Sequence, residues 1–417
     1  MLSLLDGGRR SGDGDDSDRD AVSASDVVVV GAGAMGAWTA LRCRRAGWST
    51  TLIDAYGIGH PRATSGDETR ILRSSHGADA FYPRWAREAR VAWQTFGDEI
   101  GERLFHEVGM LWFARREDGF EAHSLATLTS LAIPIQRVTT DEIRGLWPQI
   151  GVDDLAFAAY EPEAGLVMAR NGVTAVVRSF AAGGGRFELA SVRPGATDGR
   201  RLLEVIAGDG QRHPGGTFVF AAGPWLPRLF PALLGELITV TKQDVVFLGP
   251  AAGDGRFAAE WLPCWVDYDG AFYGVPAVDG RGMKIAPDRD GPPWDPTDGE
   301  RIIDPDTVRQ VRRYARRRFP DIAEAPVVES RVCQYEATPD TEFILDRHPD
   351  FDNVWIAGGG SGHAFKHGPV IGSYLVSRIA GAPAGPDEER FSLTRPRKRG
   401  AHMRTGAERG SAPGGSG

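Results

Sequence analysis

The 417-residue sequence predicts an α/β protein of two domains, one of which contains a Rossmann-like sheet. At roughly 150 residues per domain, a chain of this length forms two or three domains. Near residue 30 a buried strand, a glycine turn, an amphipathic helix and a second buried strand follow one another, and a strand, glycine loop and helix recur near residue 360. This alternation is typical of a parallel sheet with helices on its faces.

Composition excludes several classes of protein. Hydrophobic residues make up 41% and charged residues 25% of the chain, and no apolar run reaches the roughly 18 residues that a bilayer span needs. The net charge of -8 argues against nucleic acid as a partner. The first 20 residues lack a secretory signal, so a cytoplasmic protein without a membrane partner is expected. Residues 1–24 and 391–417 are polar and glycine-rich, which predicts disordered tails.

Cys43, Cys264 and Cys333 are widely spaced and form no CxxC pair. This pattern predicts neither a disulfide framework nor a metal site. Cys43 and Cys264 are interpreted as packing residues. For Cys333, the residue type alone favours a buried small hydrophobe, and a reactive thiol remains the alternative.

The first glycine turn has the features of a dinucleotide site. In the stretch DVVVVGAGAMGAWTALRCRRAGWSTTLIDA, Gly31 permits the tight turn, Gly33 lets backbone N–H groups approach a pyrophosphate, and Gly36 lets the helix pack on the strand. Asp54, at the end of the second strand, is placed to bind a ribose hydroxyl. The motif predicts dinucleotide binding, but it does not distinguish NAD from FAD.

The polar stretch ATSGDETRILRSSHG carries Arg70 and Arg73, which a helical turn would place on one side, where they could bind a carboxylate. Surface ion pairs with Asp67 and Glu68 are the alternative. Near the other end, Gly359, Gly360 and Gly362 lie between a buried strand and an apolar-periodic helix in the stretch NVWIAGGGSGHAFKHGPVIGSYLVSRIA. The start of that helix could present a positive field to a ligand.

Four motifs together resemble the D-amino-acid-oxidase superfamily, in particular the branch of monomeric sarcosine oxidase and N-methyltryptophan oxidase. They are VVVVGAGAMGAWTA, GDETRILR, VCQYEATPDTEFILDRHP and AGGGSGHAFKHGP, in the family's order and near its spacing. The resemblance covers essentially the whole folded chain and implies FAD as cofactor. It also implies that Cys333 forms a thioether to the flavin, which would retain the cofactor and favour its reduced form.

The resemblance implies further roles. Arg73 and Lys366 match the two cations that bind the substrate carboxylate, and Arg70 matches an arginine near the flavin ring. Thr69 is expected to contact the flavin or its phosphates. Lys284 matches the lysine that activates oxygen, because an ammonium group stabilises the negative charge that oxygen acquires.

Three other positions are expected in the substrate pocket. Tyr273 and Tyr335 match pocket tyrosines, with core packing as the alternative. Asp288 stands where the sarcosine oxidase pattern has histidine, so it could attract an additional cation on the substrate unless this loop is misaligned. His363 is expected to hold neighbouring groups in place by hydrogen bonding and is not assigned as the base.

The motifs imply a discontinuous FAD-binding domain formed by residues 25–105, 164–236 and 330–385. Residues 106–163 and 237–329 are expected to form a substrate domain with a mixed, mainly antiparallel sheet, in which residues 271–278 and 282–288 pair as a hairpin.

The predicted activity is FAD-dependent oxidation of a secondary or N-methyl amino acid by oxygen, giving an imine that hydrolyses and hydrogen peroxide. The family resemblance implies a monomer. Alternatives are oxidation of a cyclic imino acid or another biosynthetic amine, a dehydrogenase that passes electrons to a partner, and a non-catalytic flavin-binding module. An NAD-linked dehydrogenase is supported only by the first glycine motif.

Overall fold

A computed structural model of the chain describes residues 24–397. Across these residues the strands are, in chain order, β1 (Ser25–Val30), β2 (Thr50–Asp54), β3 (Thr69–Leu72), β4 (Phe105–His106), β5 (Met110–Ala114), β6 (Gln136–Val138), β7 (Phe157–Glu161), β8 (Gly165–Met168), β9 (Arg186–Leu189), β10 (Val192–Pro194), β11 (Thr197–Asp198), β12 (Arg201–Leu202), β13 (Glu204–Ala207), β14 (Arg212–Phe220), β15 (Thr239–Leu248), β16 (Cys264–Asp267), β17 (Phe272–Val275), β18 (Met283–Pro287), β19 (Val327–Ala337), β20 (Ile344–Arg347) and β21 (Val354–Gly358). The helices are α1 (Ala34–Arg45), α2 (Phe81–Ile100), α3 (Phe120–Ser130), α4 (Thr140–Leu146), α5 (Ala169–Ala182), α6 (Leu226–Leu229), α7 (Pro231–Leu234), α8 (Pro305–Arg318) and α9 (Gly368–Ile379). None of the helices in this range is both long and apolar enough to cross a bilayer.

The first sheet has a parallel centre in the order β9, β2, β1, β14 and β21. Strands β20, β13 and β10 extend it with antiparallel pairing. Val27 and Val29 of β1 pack in one core with residues of α1, α5 and α9, while Val28 and Val30 pack in a second core on the opposite face. Because both faces are covered, β1 can be continuously apolar. The predicted Rossmann-like domain is thereby confirmed.

The turn between β1 and α1 depends on two glycines. Gly31 has a φ of +105°, and a Cβ atom there would lie 2.4 Å from the carbonyl oxygen of Ala221 on β14's C-terminal side. A Cβ atom on Gly36 would lie 1.8 Å from the carbonyl oxygen of Gly31. Only glycine at both positions lets α1 start this close to the ends of the two strands.

The second large sheet has the order β19, β15, β18, β17, β16, β5, β7 and β6. Its neighbours are antiparallel except for β16 and β5, which are parallel, and the predicted hairpin is present as β17 and β18. Strand β19 pairs with β15 from Val327 to Ala337, so the predicted boundary at residue 330 falls inside this strand. The strand therefore brings Cys333 into the second sheet.

Strand β3 joins β8 and β4 in a small antiparallel sheet, in which Thr69 pairs with Met168 and Leu72 with Gly165. The expectation that Arg70 and Arg73 share a helical turn is therefore wrong. The β-branched residues Thr69 and Ile71 suit a strand, and pairing with the buried strand β8 decides the conformation.

The expectation that disorder begins at residue 391 is wrong for residues 391–397. Phe391 and Leu393 are buried in hydrophobic clusters. Arg395, expected in a solvated extension, is buried, and its guanidinium donates hydrogen bonds of 2.7 and 2.9 Å to the carboxylate of Asp340. These two apolar anchors and one ion pair hold the segment on the fold. The remainder of the predicted tails, residues 1–23 and 398–417, lies outside the described residues.

Candidate active site

The larger of two adjoining cavities runs along the ends of the parallel strands and has a volume of about 420 Å³. Of the predicted cofactor-binding residues, it is lined by Gly31, Gly33, Asp54, Gly360 and Gly362. A ligand at the carboxyl ends of parallel strands, where the sheet order reverses, is the general arrangement in such folds.

Asp54 organises the end of this cavity near the glycine turn. Its carboxylate accepts hydrogen bonds from the backbone N–H groups of Ala32, Tyr56 and Gly57, at 2.7, 2.8 and 2.8 Å. These bonds hold the carboxylate beside the first turn of α1. A carboxylate oxygen accepts more than one hydrogen bond, so Asp54 can still accept one from a ribose hydroxyl.

Two predicted glycines have structural roles behind the cavity wall. Gly36 allows α1 to approach the turn, as described above. Gly359 has a φ of +67°, and a Cβ atom there would lie 2.6 Å from Cγ2 of Thr338. Neither glycine is among the residues lining the cavity. The positive φ of Gly359 turns the chain so that Gly360 and Gly362 reach the wall.

The cavity wall contains polar atoms that suit a polar ligand. Oγ1 of Thr64 and Oε2 of Glu336 are buried and have no hydrogen-bond partner within residues 24–397. Trp225, on a turn after β14, also lines the cavity. A buried polar atom without a partner is costly, and a bound ligand can satisfy it. Together with the glycine turn, these atoms fit a dinucleotide.

A smaller cavity, of about 60 Å³, adjoins the first, and Arg70, Tyr335, Gly362 and Phe365 line both. The smaller cavity brings together nine of the predicted site residues, which are Thr69, Arg70, Arg73, Tyr273, Lys284, Cys333, Tyr335, Gly362 and Lys366. Most of its remaining wall is apolar.

Asp67 forms buried ion pairs with both Lys284 and Arg70. Burial raises the pKa of Asp67, but the charges of Lys284 and Arg70 lower it further, so the net shift is downward. Burial lowers the pKa of Lys284, an effect that Asp67 partly offsets. Lys284 also donates a 3.1 Å hydrogen bond to the carbonyl oxygen of Thr69. The side chain of Lys284 is therefore fixed at the cavity wall.

Arg73 and Lys366 approach the smaller cavity from different segments. The guanidinium of Arg73 donates to the carbonyl oxygen of Ser75 and lies 5.0 Å from the ring centroid of Trp112. Nζ of Lys366 donates a 2.8 Å hydrogen bond to the carbonyl oxygen of His363. Both side chains are buried, at 5% and 2% exposure. Backbone carbonyls thus orient two cations that the chain places almost 300 residues apart.

Beside Lys366 lies a buried group of three histidines, His76, His363 and His367, whose nearest ring nitrogens are within 4.8 Å of one another. Burial lowers the pKa of His76 and His367 well below the usual value, and the positive charges of Arg73 and Lys366 lower it further. His76 and His367 therefore stay neutral near pH 7, and the positive charges of Arg73 and Lys366 disfavour a metal ion here.

Cys333 lines the smaller cavity, and its Sγ atom is 3.3 Å from a guanidinium nitrogen of Arg70, which lines both cavities. Cys43 and Cys264 are fully buried in hydrophobic clusters, and burial raises the pKa of the Cys43 thiol to about 12. Such thiols are unreactive. Cys333 is therefore the cysteine that the fold brings to the site.

Asp288 is not brought to the site with the other predicted residues. It follows β18, is 3% exposed, and its backbone N–H donates a 2.7 Å hydrogen bond to Ala271. It lines neither cavity.

The sequence did not point to Glu336 or Gln243, which line the larger and smaller cavities respectively. Both residues lie within strands, where a polar side chain is common, so no local sequence pattern marks them as site residues.

The fold and the two cavities define a dinucleotide-binding enzyme with a cation-lined site next to its cofactor cavity. Residues 26–378 match the family model described as FAD dependent oxidoreductase, and the chain belongs to this family. FAD as the cofactor and a flavin-dependent oxidoreductase as the class of enzyme are thereby confirmed.

The chain is similar to several characterised relatives. It is 26% identical to monomeric sarcosine oxidase of Arthrobacter sp., over 89% of this chain and 96% of the relative. It is 26% identical to peroxisomal sarcosine oxidase of Homo sapiens, over 84% and 90% respectively. N-methyl-L-tryptophan oxidase of Yersinia pestis is 24% identical, over 89% and 99%.

Solved structures share the fold. L-proline dehydrogenase from P. horikoshii matches with a TM-score of 0.78 and 20% identity, over 89% of this chain and 97% of that chain. NikD, an amino acid oxidase of nikkomycin biosynthesis, matches with a TM-score of 0.75 and 19% identity, over 89% and 98%. The predicted two-part α/β architecture is thus confirmed by comparison.

Proposed function

We propose that this chain is an FAD-dependent oxidase of a small secondary or N-methyl amino acid. One observation carries the proposal: among the described residues, the smaller cavity is lined by four cations, which are Arg70, Arg73, Lys284 and Lys366, and by no carboxylate. Such a wall attracts a carboxylate through charge-assisted hydrogen bonds and disfavours a purely cationic amine.

Within this group, Arg73 and Lys366 are the proposed carboxylate clamp. Both side chains line the smaller cavity, and both are buried and oriented by hydrogen bonds to backbone carbonyls. Two cations that reach one carboxylate fix the amine-bearing carbon in one orientation. The small volume of this cavity, about 60 Å³, favours a small amino acid.

FAD, when bound, supplies the two-electron acceptor that the oxidation requires. Removal of a bound ammonium group from water into this largely apolar cavity lowers its pKa, so binding favours the neutral amine that reacts. Aromatic and aliphatic side chains, among them Tyr273 and Phe365, exclude water around the reacting carbon. Lys284 is the proposed site of oxygen activation. The imine product leaves and is hydrolysed, and hydrogen peroxide is the other product.

The proposal includes a covalent link between Cys333 and the flavin, which is supported by the position of the thiol in the wall of the smaller cavity, beside Arg70, which lines both cavities. The test is acid precipitation of the purified yellow protein. A covalent flavin stays in the pellet, whereas the variant Cys333→Ser should release its flavin to the supernatant. Release of all flavin from the unaltered protein would show that Cys333 is an ordinary buried thiol.

A cyclic secondary amino acid is the second candidate substrate. Ile71, Val266 and Val275 give the cavity an aliphatic wall that suits a saturated ring, and the same clamp would bind its carboxylate. The fold is shared with a protein titled L-proline dehydrogenase. We further propose a monomeric, cytoplasmic enzyme, in line with the relatives named monomeric sarcosine oxidase.

The experiment is anaerobic bleaching of the flavin by matched compounds, followed by admission of air. Sarcosine, N-methyl-L-tryptophan, L-proline and L-pipecolate are each compared with the same amine lacking its carboxylate. We expect one of the amino acids to bleach the flavin and the matching amine without a carboxylate not to bleach it. The colour should return rapidly in air. Equal bleaching by both partners would overturn the clamp. Slow recovery would identify a dehydrogenase instead of an oxidase.

A further inference from the structure

Glu336 is an unusual residue in the wall of the larger cavity. It lies on β19 next to Tyr335, is 6% exposed, and forms no ion pair within the described residues. Oε1 is 3.4 Å from the backbone N–H of Gly360, and Oε2 has no hydrogen-bond partner within residues 24–397. Burying a charged carboxylate with so few hydrogen-bond partners costs free energy, so we expect this group to bind a ligand or a proton.

The surroundings of Glu336 place it between the first turn of α1 and the smaller cavity. A Cβ atom on Gly360 would lie 3.2 Å from Oε1 of Glu336 and 3.8 Å from Cε of Met35, in the first turn of α1. Tyr335, the neighbouring residue on β19, lines both cavities. Glu336 thus lies between the first turn of α1, which would face the phosphates of bound FAD, and the smaller cavity, which would face its flavin.

The groups around Glu336 give its charged form no support. Arg70, Arg228 and Tyr335 line the same cavity as Glu336, Lys242 lies on the paired strand β15, and His363 and Lys366 follow the loop at Gly360. Glu336 forms an ion pair with none of them. Burial raises the pKa of Glu336 to about 8, and the N–H of Gly360 lowers it only partly. The carboxyl group is therefore neutral near pH 7.

We propose that Glu336 is a cofactor-binding residue whose neutral carboxyl group hydrogen-bonds a hydroxyl of the polyol linker of bound FAD. A neutral carboxyl donates one hydrogen bond and accepts another, which matches a hydroxyl group. An ionised carboxyl would lack the donor and would be repelled by the nearby phosphates. FAD binding should therefore favour the protonated form. The inference depends on FAD binding alone and is independent of the substrate.

The test measures FAD affinity in a Cys333→Ser background, where no thioether can form and the flavin exchanges. Flavin fluorescence gives the Kd from pH 6 to pH 9.5. The parent should bind FAD with constant affinity below pH 8 and lose up to tenfold per pH unit above it, because binding then requires uptake of a proton. Glu336→Gln keeps a donor and an acceptor, so its affinity should stay within about threefold of the parent at pH 7 and should not weaken above pH 8.

Glu336→Ala should bind FAD about tenfold more weakly than the parent at pH 7 and should bind ADP, which has no polyol linker, unchanged. Glu329→Gln on the same strand, outside both cavities, is the control and should retain the pH dependence of the parent. The proposal is overturned if Glu336→Gln keeps the loss of affinity above pH 8, or if Glu336→Ala weakens FAD and ADP equally. If Glu336→Ala does not fold, the pH profile of Glu336→Gln decides.

Discussion

Replacement of Asp67 by asparagine should destabilise the protein strongly, because it leaves two cations without the carboxylate that pairs with them. The side chains of Asp67, Lys284 and Arg70 are 4%, 2% and 18% exposed. Breaking a buried ion pair at one partner costs about 3–5 kcal/mol. We therefore expect the free energy of unfolding of Asp67→Asn to fall by about 3–5 kcal/mol at pH 7.

The assay is urea unfolding followed by tryptophan fluorescence, with the flavin content of all samples matched. Glu99→Gln is the control, because Glu99 pairs with Arg45 at the surface, where the two side chains are 43% and 39% exposed. The free energy of unfolding of that variant should fall by at most about 1 kcal/mol. A loss for Asp67→Asn as small as that of the control would refute the assignment of a buried, paired carboxylate.

The pH dependence supplies a second criterion. The pKa of Asp67 is lowered in the folded protein, because the charges of Lys284 and Arg70 outweigh burial. The carboxylate therefore contributes its full stability above the pKa of an unfolded aspartate, about 3.9, and loses it as the pH falls further. The difference in stability between the parent and Asp67→Asn should thus be constant near pH 7 and shrink below about pH 4.

Three further predictions concern the site. Arg73→Met should raise KM for the carboxylate substrate about 10- to 150-fold, with kcat changed less, in steady-state kinetics. Lys284→Met should leave anaerobic bleaching by substrate intact but slow recovery of the colour in air, as stopped-flow absorbance would show. Gly31→Ala should fail to fold, or its free energy of unfolding should fall by roughly 2 kcal/mol or more. In Gly33→Ala the added Cβ would meet only Oγ of Ser65, at 3.4 Å, so this variant should fold normally and bind FAD weakly.

Sequence patterns were sufficient where the physical cause is local. The apolar run of β1, the glycine at +105° and the helix that follows are all set by neighbouring residues. The hairpin of β17 and β18 was visible for the same reason. The family resemblance placed residues from four separate segments at one site, and nine of the predicted site residues line the smaller cavity.

The remaining features depend on long-range packing. The strand conformation of Arg70 is decided by pairing with β8, nearly 100 residues later. The burial of Glu336, and hence its raised pKa, follows from the loop at Gly360 and from the turn at Gly223. The anchoring of Arg395 requires Asp340. No short-range pattern encodes contacts of this kind.

The strand order of the first sheet has a consequence for synthesis of the protein in the cell. Strand β1 lies beside β14, which emerges from the ribosome about 190 residues later, and β14 in turn needs β21. The cofactor cavity also needs Gly360 and Gly362 from the loop after β21. FAD therefore cannot bind its complete site until nearly the whole chain has been translated. Until then the apolar faces of β1 lack their partners, so a newly made chain depends on protection from aggregation.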